Sequence, residues 1–491
     1  MAEAATRPPS SPGVRLALLA FAQFIITLDF NIVYVALPDI GSDLGFTVQS
    51  LQWVVSAYIV ALGGLLLFGG RAADRLGARR MFMVGLAIYA VSSLTGGLAG
   101  DSGVLLAARA VQGIGGALLF PATLRLVFTS FEEGPMRNKA LVVYGAIGGA
   151  GLSAGALLGG ILTNYSGWEW VFFVNVPLAL AAAALAPRIL PADTFFPGAN
   201  KGFDVLGALV ATVGATLVVF GLASGPDAGW LSLRGAGAIV SGVVLLALFL
   251  LIESRADSPL MPLRLLRHRS LAVTMVVAFI YQGGLGGAYY LFTTYLQDVL
   301  HYSPLSAGFA FLPPTFASMA FAAKFSTKLL TKLGLRGTLF AGTLCTGVGM
   351  GAFAVAFSAD GTGSYWVLLP GLILWSVGGA LAIPAIFAGA GAGVALLEQG
   401  VSSAMATTAR QIGGAVGLAA LVAVANARIH VPAHGVPPLS DLTDGLRVAG
   451  LVGAGVTVLG SFLALLHHRP APAAKPAAEP ATATDEAAVS S

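Results

Sequence analysis

Gly70-Arg71-Ala72-Ala73-Asp74-Arg75-Leu76-Gly77-Ala78-Arg79-Arg80 is a short polar break between two long apolar runs. Four bases and one acid fall within it, in a chain of 491 residues of which only 10% are charged. Bases between two membrane-crossing runs mark a cytoplasmic turn, because short loops rich in Lys and Arg stay inside. Gly70 and Gly77 let helices end and turn tightly. Asp74 follows one helix and precedes the next. It is placed to face a helix N-terminus, which favours an anion, or to pair with Arg75, Arg79 or Arg80. The plainer alternative is that the break is a topology anchor and nothing more.

Moving outward, the stretch recurs. Shifted by 257 positions without gaps, residues 68–79 place Phe68 on Phe325, Arg71 on Lys328, Arg75 on Lys332, Leu76 on Leu333, Gly77 on Gly334 and Arg79 on Arg336. Asp74 falls on Thr331, so the second copy keeps the basic charge and loses the acid. An internal copy of this kind suggests two related halves, as in transporters built from repeats.

Hydrophobic residues make up 57% of the chain and the mean hydropathy is +0.86. A soluble domain has about 25% charged residues, so this is an integral membrane protein. The single cysteine, Cys345, excludes an intramolecular disulfide and a cysteine metal site. The pI near 9.2 is explained by basic loops on one side and is no sign of nucleic-acid binding. The first apolar run is too long for a cleavable signal peptide and contains Asp29.

A span needs about 20 apolar residues. Such runs lie near 14–38, 50–70, 81–99, 103–128, 139–163, 168–187, 203–224, 233–253, 270–297, 305–325, 336–357, 365–388, 401–425 and 446–467. The expected architecture is therefore an all-α membrane protein with fourteen transmembrane helices. Residues 1–13 and 468–491 read as tails, 14–187 and 270–467 as six-helix halves, and 188–269 as a linker with two extra helices. Loops expected inside carry Arg71, Arg75, Arg79, Arg80, Arg137, Lys139, Arg188, Lys201, Arg255, Arg264, Arg267, Arg269, Lys324, Lys328, Lys332 and Arg336. Loops expected outside carry mainly acids: Asp39, Asp43, Asp101, Asp227, Asp298 and Asp360. That asymmetry predicts both termini in the cytoplasm.

Six stretches carry a family resemblance. The break at 70–80 resembles motif A of the major facilitator superfamily, with Ala72 where Leu is usual and Ala78 where a base is usual. Leu105-Leu106-Ala107-Ala108-Arg109-Ala110-Val111-Gln112-Gly113-Ile114-Gly115-Gly116-Ala117 resembles motif B. Residues 151–160, with Gly151, Gly155, Gly159 and Gly160, resemble the antiporter motif C, with Ala156 in place of its usual proline. Residues 168–177 resemble the start of span six in fourteen-span drug:proton antiporters, with Glu169 where a base is usual, and residues 295–297 with 303–308 and Pro313 are similar to their second half. Residues 28–38 resemble their first-span motif, with Asn31 and Tyr34 in place of Thr and Asn. The resemblance covers roughly residues 14–467. It implies the major facilitator fold, two six-helix halves plus an inserted pair, and drug export driven by a proton gradient with no cofactor.

Ionisable groups inside spans are functional candidates by default. Asp29 lies nine residues before Pro38, about 13 Å below the outer end, and Arg109 lies about 9 Å deep in span four. Opposite charges at similar depth suggest a proton site whose acid is tuned by the base. The alternative is a static ion pair. Arg410 in span thirteen has no obvious acid partner and would face a substrate anion, backbone carbonyls or, by snorkelling, the inner interface. Glu253 and the His467-His468 pair read as interfacial groups. The glycines of span five read as a contact between halves or as plain packing. Asn31, Tyr34, Gln112, Tyr144, Gln282, Tyr289 and Arg410 are the candidate cavity residues. No phosphate-binding loop, metal cluster or nucleophile constellation is present, so no enzyme is expected.

The expected function is a proton-coupled efflux antiporter of the plasma membrane, exporting amphipathic drugs, antibiotics or a related metabolite by alternating access. Its expected partners are a small-molecule substrate, protons and the lipid bilayer, with no nucleic acid and a monomeric state. A secondary importer of a small polar solute and a non-transporting membrane sensor on the same fold are the alternatives.

Overall fold

In hydrocarbon no water is available to a backbone amide, so a spanning segment must satisfy its own N–H and C=O groups. Among the described residues every regular element is accordingly a helix. The computed structural model describes residues 11–131, 135–193, 204–256, 259–358, 363–394, 399–428 and 438–467.

The long helices are α1 Pro12–Asp43, α2 Trp53–Leu76, α3 Ala78–Gly97, α4 Ser102–Ser130, α5 Pro135–Ser166, α6 Asn175–Ile189, α7 Val205–Ala228, α8 Ala238–Arg255, α9 Arg269–Thr294, α10 Pro304–Ser326, α11 Thr327–Val355, α12 Tyr365–Gly391, α13 Gln399–Asn426 and α14 Leu439–Ser461. Among the described residues twelve helical segments are long and apolar enough to cross a membrane. α3 and α5, of 20 and 32 residues, complete the set. At about 1.5 Å per residue α3 and α5 reach the roughly 30 Å of a hydrocarbon core.

Several boundaries differ from the expected ones for local reasons. α1 runs through Pro38 to Asp43, because a proline deletes only its own amide donor and Leu44 still bonds the Ile40 carbonyl. α14 starts at Leu439, before the apolar run, with Asp441 in its first turn. α4 begins where the Asp101 carboxylate accepts the Val104 amide at 3.0 Å. The two copies of the repeated stretch form the same turn. Gly77 separates α2 from α3 at φ 101°, and Gly334 breaks α11 at φ 67°, so the first turns of α11 prolong α10. Both angles fall in the left-handed region that glycine enters freely.

Packing repeats in the same way. In the first half α1 packs on α5, α2 on α4, α3 on α4, and α3 on α6. In the second, α9 packs on α13, α10 on α12, α11 on α12, and α11 on α14. The halves meet along two seams, α2 with α13 and α5 with α10. α7 lies over the first seam, against both α2 and α13, and α8 packs on α7. Leu209, Val213, Val240, Val243, Val244 and Leu251 of this pair stay exposed, as a lipid-facing surface requires.

Candidate functional site

The deepest charge in the first half is held by five helices. Arg109, on α4, donates from Nη1 to Asp29 Oδ2 of α1 at 2.8 Å and to Gln112 Oε1 at 2.7 Å. Its Nε donates to the Val54 carbonyl of α2 at 2.8 Å. Gln112 Nε2 donates to Asp29 Oδ1 and to Ser93 Oγ of α3, each at 2.9 Å. Asn175, at the start of α6, donates to the same Asp29 Oδ1 at 2.9 Å. The guanidinium carbon stands 4.5 Å from the centre of the Tyr58 ring and 5.8 Å from that of Phe172. Asp29 has no exposed surface and Arg109 has 1%. The carboxylate accepts three hydrogen bonds, which is what makes an ionised acid tolerable at this depth.

α5 packs on the α1 backbone beside this cluster. Cβ atoms at Gly151, Gly155 and Gly159 would stand 2.9, 2.4 and 2.6 Å from the carbonyl oxygens of Phe24, Leu28 and Ile32. Spacing of four on both helices gives a flush ridge, and it seats the α1 turn that bears Asp29. Of the four motif-C glycines only Gly160 meets the second half, where its Cβ would lie 2.5 Å from the Pro304 carbonyl oxygen. Gly308 answers it from α10, its Cβ 2.6 Å from the Ala156 carbonyl oxygen. The expected contact between halves thus belongs to Gly160 and Ala156, while the other three glycines pack within the first half.

The candidate cavity residues divide. Gln112 belongs to the Asp29 cluster. Tyr144 donates to Gln23 Oε1 at 2.5 Å, tying α5 to α1. The others gather in and around the second half: Arg410 Nη1 donates to Gln282 Oε1 at 2.9 Å, and the ring of Tyr34 lies 5.7 Å from that of Tyr289. Tyr289 in turn lies 5.0 Å from Trp375 and 5.5 Å from Phe311. Asn31 is buried on α1, one turn before Tyr34. At the end of the bundle carrying Asp39 and Asp43, Gln297 Nε2 donates to the Val35 carbonyl at 2.9 Å, joining the turn just beyond α9 to α1.

At the opposite, basic end the polar turn is held by a residue the sequence did not reveal. Asp193, just beyond α6, accepts the amides of Arg79 and Arg80 at 2.8 and 3.0 Å. It occupies the N-terminus of α3, the position one reading of the sequence offered to Asp74. The side chain of Asp74 lies outside the described residues. Arg71 reaches the Pro259 carbonyl at 2.6 Å, Arg79 the Leu190 carbonyl at 3.3 Å, and Arg125 the Ala73 carbonyl.

Two groups expected at the interface are buried. Glu253 accepts the Met261 amide at 2.9 Å because the chain folds back beneath the end of α8. His467 lies between Ser270 Oγ and Thr274 Oγ1, at 3.2 and 3.1 Å, and burial pushes its imidazole below the usual range. Among the described residues no group of three His, Cys, Asp or Glu side chains is arranged to hold a metal ion.

Two helical halves with matching internal packing, around a buried charge in one and a part-buried base in the other, define a secondary-transporter fold. The Major Facilitator Superfamily profile matches residues 19–418, and the chain belongs to that family. It is 38% identical over 456 residues to the puromycin resistance protein of Streptomyces alboniger, covering 91% of this chain and 90% of that one. It is 35% identical over 420 residues to a cephamycin export protein of Amycolatopsis lactamdurans, covering 85% and 86%. The fold is also that of a crystallised POT-family transporter, PepTSo, with a TM-score of 0.65 at 15% identity over 93% of this chain and 98% of the other.

Proposed function

We propose that this protein is a proton-coupled antiporter that exports amphipathic drugs, antibiotics or a related metabolite by alternating access. It crosses the plasma membrane fourteen times with both termini in the cytoplasm, acts as a monomer and uses no cofactor beyond the proton gradient. The observation that carries this reading is the Asp29 carboxylate, fully buried yet joined to α3, α4 and α6 through Ser93, Gln112, Arg109 and Asn175. The relatives named for resistance and export support the outward direction over import.

Ionised Asp29 draws α4 and α6 onto α1. A proton on it removes the charge that Arg109 faces and turns an acceptor into a donor, so the first half loosens where its helices meet. Arg109 keeps Val54 and Gln112 as partners and stays in place. One site thereby favours a different packing of the half in each protonation state, which is the differential interaction that alternating access needs.

The test is transport in everted vesicles. Asp29→Asn keeps the shape and one of the two acceptor oxygens but does not titrate. Substrate accumulation driven by a pH gradient should be lost, while exchange of labelled for unlabelled substrate continues. Full pH-driven accumulation by Asp29→Asn returns the pair to a structural role.

A further inference from the structure

Arg410 is a part-buried base with no ion-pair partner among the described residues; its Nη1 donates to the neutral Gln282. Its Nε is buried without a partner, and so are the hydroxyls of Tyr34 and Tyr281 and the indole nitrogen of Trp375. These groups come from four helices and converge. The Tyr34 hydroxyl lies 3.9 Å from where a Cβ at Gly286 would stand, and the Gly414 carbonyl oxygen lies 3.5 Å from the same point. Gly286 and Gly414 are each one turn beyond Gln282 and Arg410. The Tyr281 hydroxyl lies 3.0 Å from the Cβ position of Gly379, one turn beyond Trp375 on α12. Beside them runs the aromatic row Phe30, Tyr34, Tyr289, Trp375, with ring centres 5.0 to 6.0 Å apart.

The chemistry of the set is one-sided. Guanidinium and indole N–H groups only donate, and a tyrosine hydroxyl donates readily. Buried donors left unpaired are costly, which marks the place where an acceptor belongs. Among the described residues no free acid balances them: Asp29 is already held by Arg109, Gln112 and Asn175, and Glu253 sits on α8, which packs on α7. A cation entering here would meet a like charge, whereas an anion would gain charge-assisted hydrogen bonds.

We infer that the junction of α1, α9, α12 and α13 takes planar aromatic solutes bearing an anionic or acceptor-rich group, which docks on Arg410 while the rings stack on Tyr289 and Trp375, and that it discriminates against aromatic cations. This rests on the transport reading above and names the substrate class for the same site.

Fluorescein and rhodamine 6G share a xanthene core and carry opposite charges, so their ratio isolates the charge preference. Binding of each dye is measured by fluorescence anisotropy on the purified full chain in nanodiscs without a proton gradient. The wild type should bind fluorescein at least about tenfold more tightly than rhodamine 6G, a factor one charge-assisted hydrogen bond supplies. Arg410→Gln should bring the two affinities within about threefold, and Arg410→Lys should keep most of the preference. Equal affinities in the wild type, tighter binding of rhodamine 6G, binding of neither dye, or a preference unchanged in Arg410→Gln overturns the inference. The wild-type ratio decides by itself if Arg410→Gln does not fold. A sound ratio in a protein that moves nothing in vesicles overturns the transport reading and leaves the charge preference standing.

Discussion

A single carboxylate shows what a residue does in a low-dielectric interior. Breaking a buried pair by removing one partner typically costs about 3–5 kcal/mol, while replacing both members costs far less. Arg109→Met should therefore destabilise the protein by that amount in a denaturation series, because Asp29 keeps Gln112 and Asn175 but loses its counter-charge. The double variant Asp29→Asn/Arg109→Met should recover much of the loss, and strict additivity in this cycle would show that the two do not interact. Asp29 and Arg109 were legible in the sequence because a charge inside an apolar run is rare and costly. Asn175 and Ser93 were not: a neutral polar side chain in a span looks the same whether it packs, bonds its own helix or completes a distant carboxylate. Nothing about Val54 as a residue type says that its carbonyl receives a guanidinium.

At the scale of elements, helix ends are set by local chemistry and the contacts between helices by close backbone approach. Gly77 holds φ 101°, and a Cβ there would lie 2.3 Å from the Asp193 carboxylate. Gly77→Ala combines left-handed strain of about 1–2 kcal/mol with displacement of that cap. Asp193→Ala removes the cap alone and should cost about 0.5–2 kcal/mol. Thermal unfolding should rank Gly77→Ala as the worse of the two, and equal melting temperatures would contradict the steric argument. Along α5, Gly155→Val drives a branched side chain against the Leu28 carbonyl and should shift the α1 turn that carries Asp29, lowering both melting temperature and transport. The repeated polar turn was legible from glycine and basic spacing alone. Asp193 was not, because it lies 114 positions from the amide of Arg79 that it caps and belongs to a linker with no motif of its own. The run of α1 past Pro38 was also hidden, since a proline reads as a stop unless the turn before it is already fixed by packing.

In the whole molecule the two halves obey one packing scheme, and the repeated polar stretch suggested two related halves. What the linear order did not show is where the extra pair sits. Closure at the acidic end rests on Gly160 of α5 against Pro304 of α10, and on Gln297 against Val35. Gly160→Leu should wedge that end open. In a background with Cys345→Ala, a cysteine at position 297 should then react faster with a membrane-impermeant maleimide added from outside, while transport falls. Unchanged labelling would mean that this contact does not gate the outer mouth. The α7–α8 pair breaks the two-fold likeness in one place only, by covering α2 and α13. Nothing comparable clads α5 and α10 among the described residues. A compound dissolved in the leaflet therefore meets the extra pair on one flank of the protein and the bare α5–α10 seam on the other, so the two flanks present different surfaces to lipid.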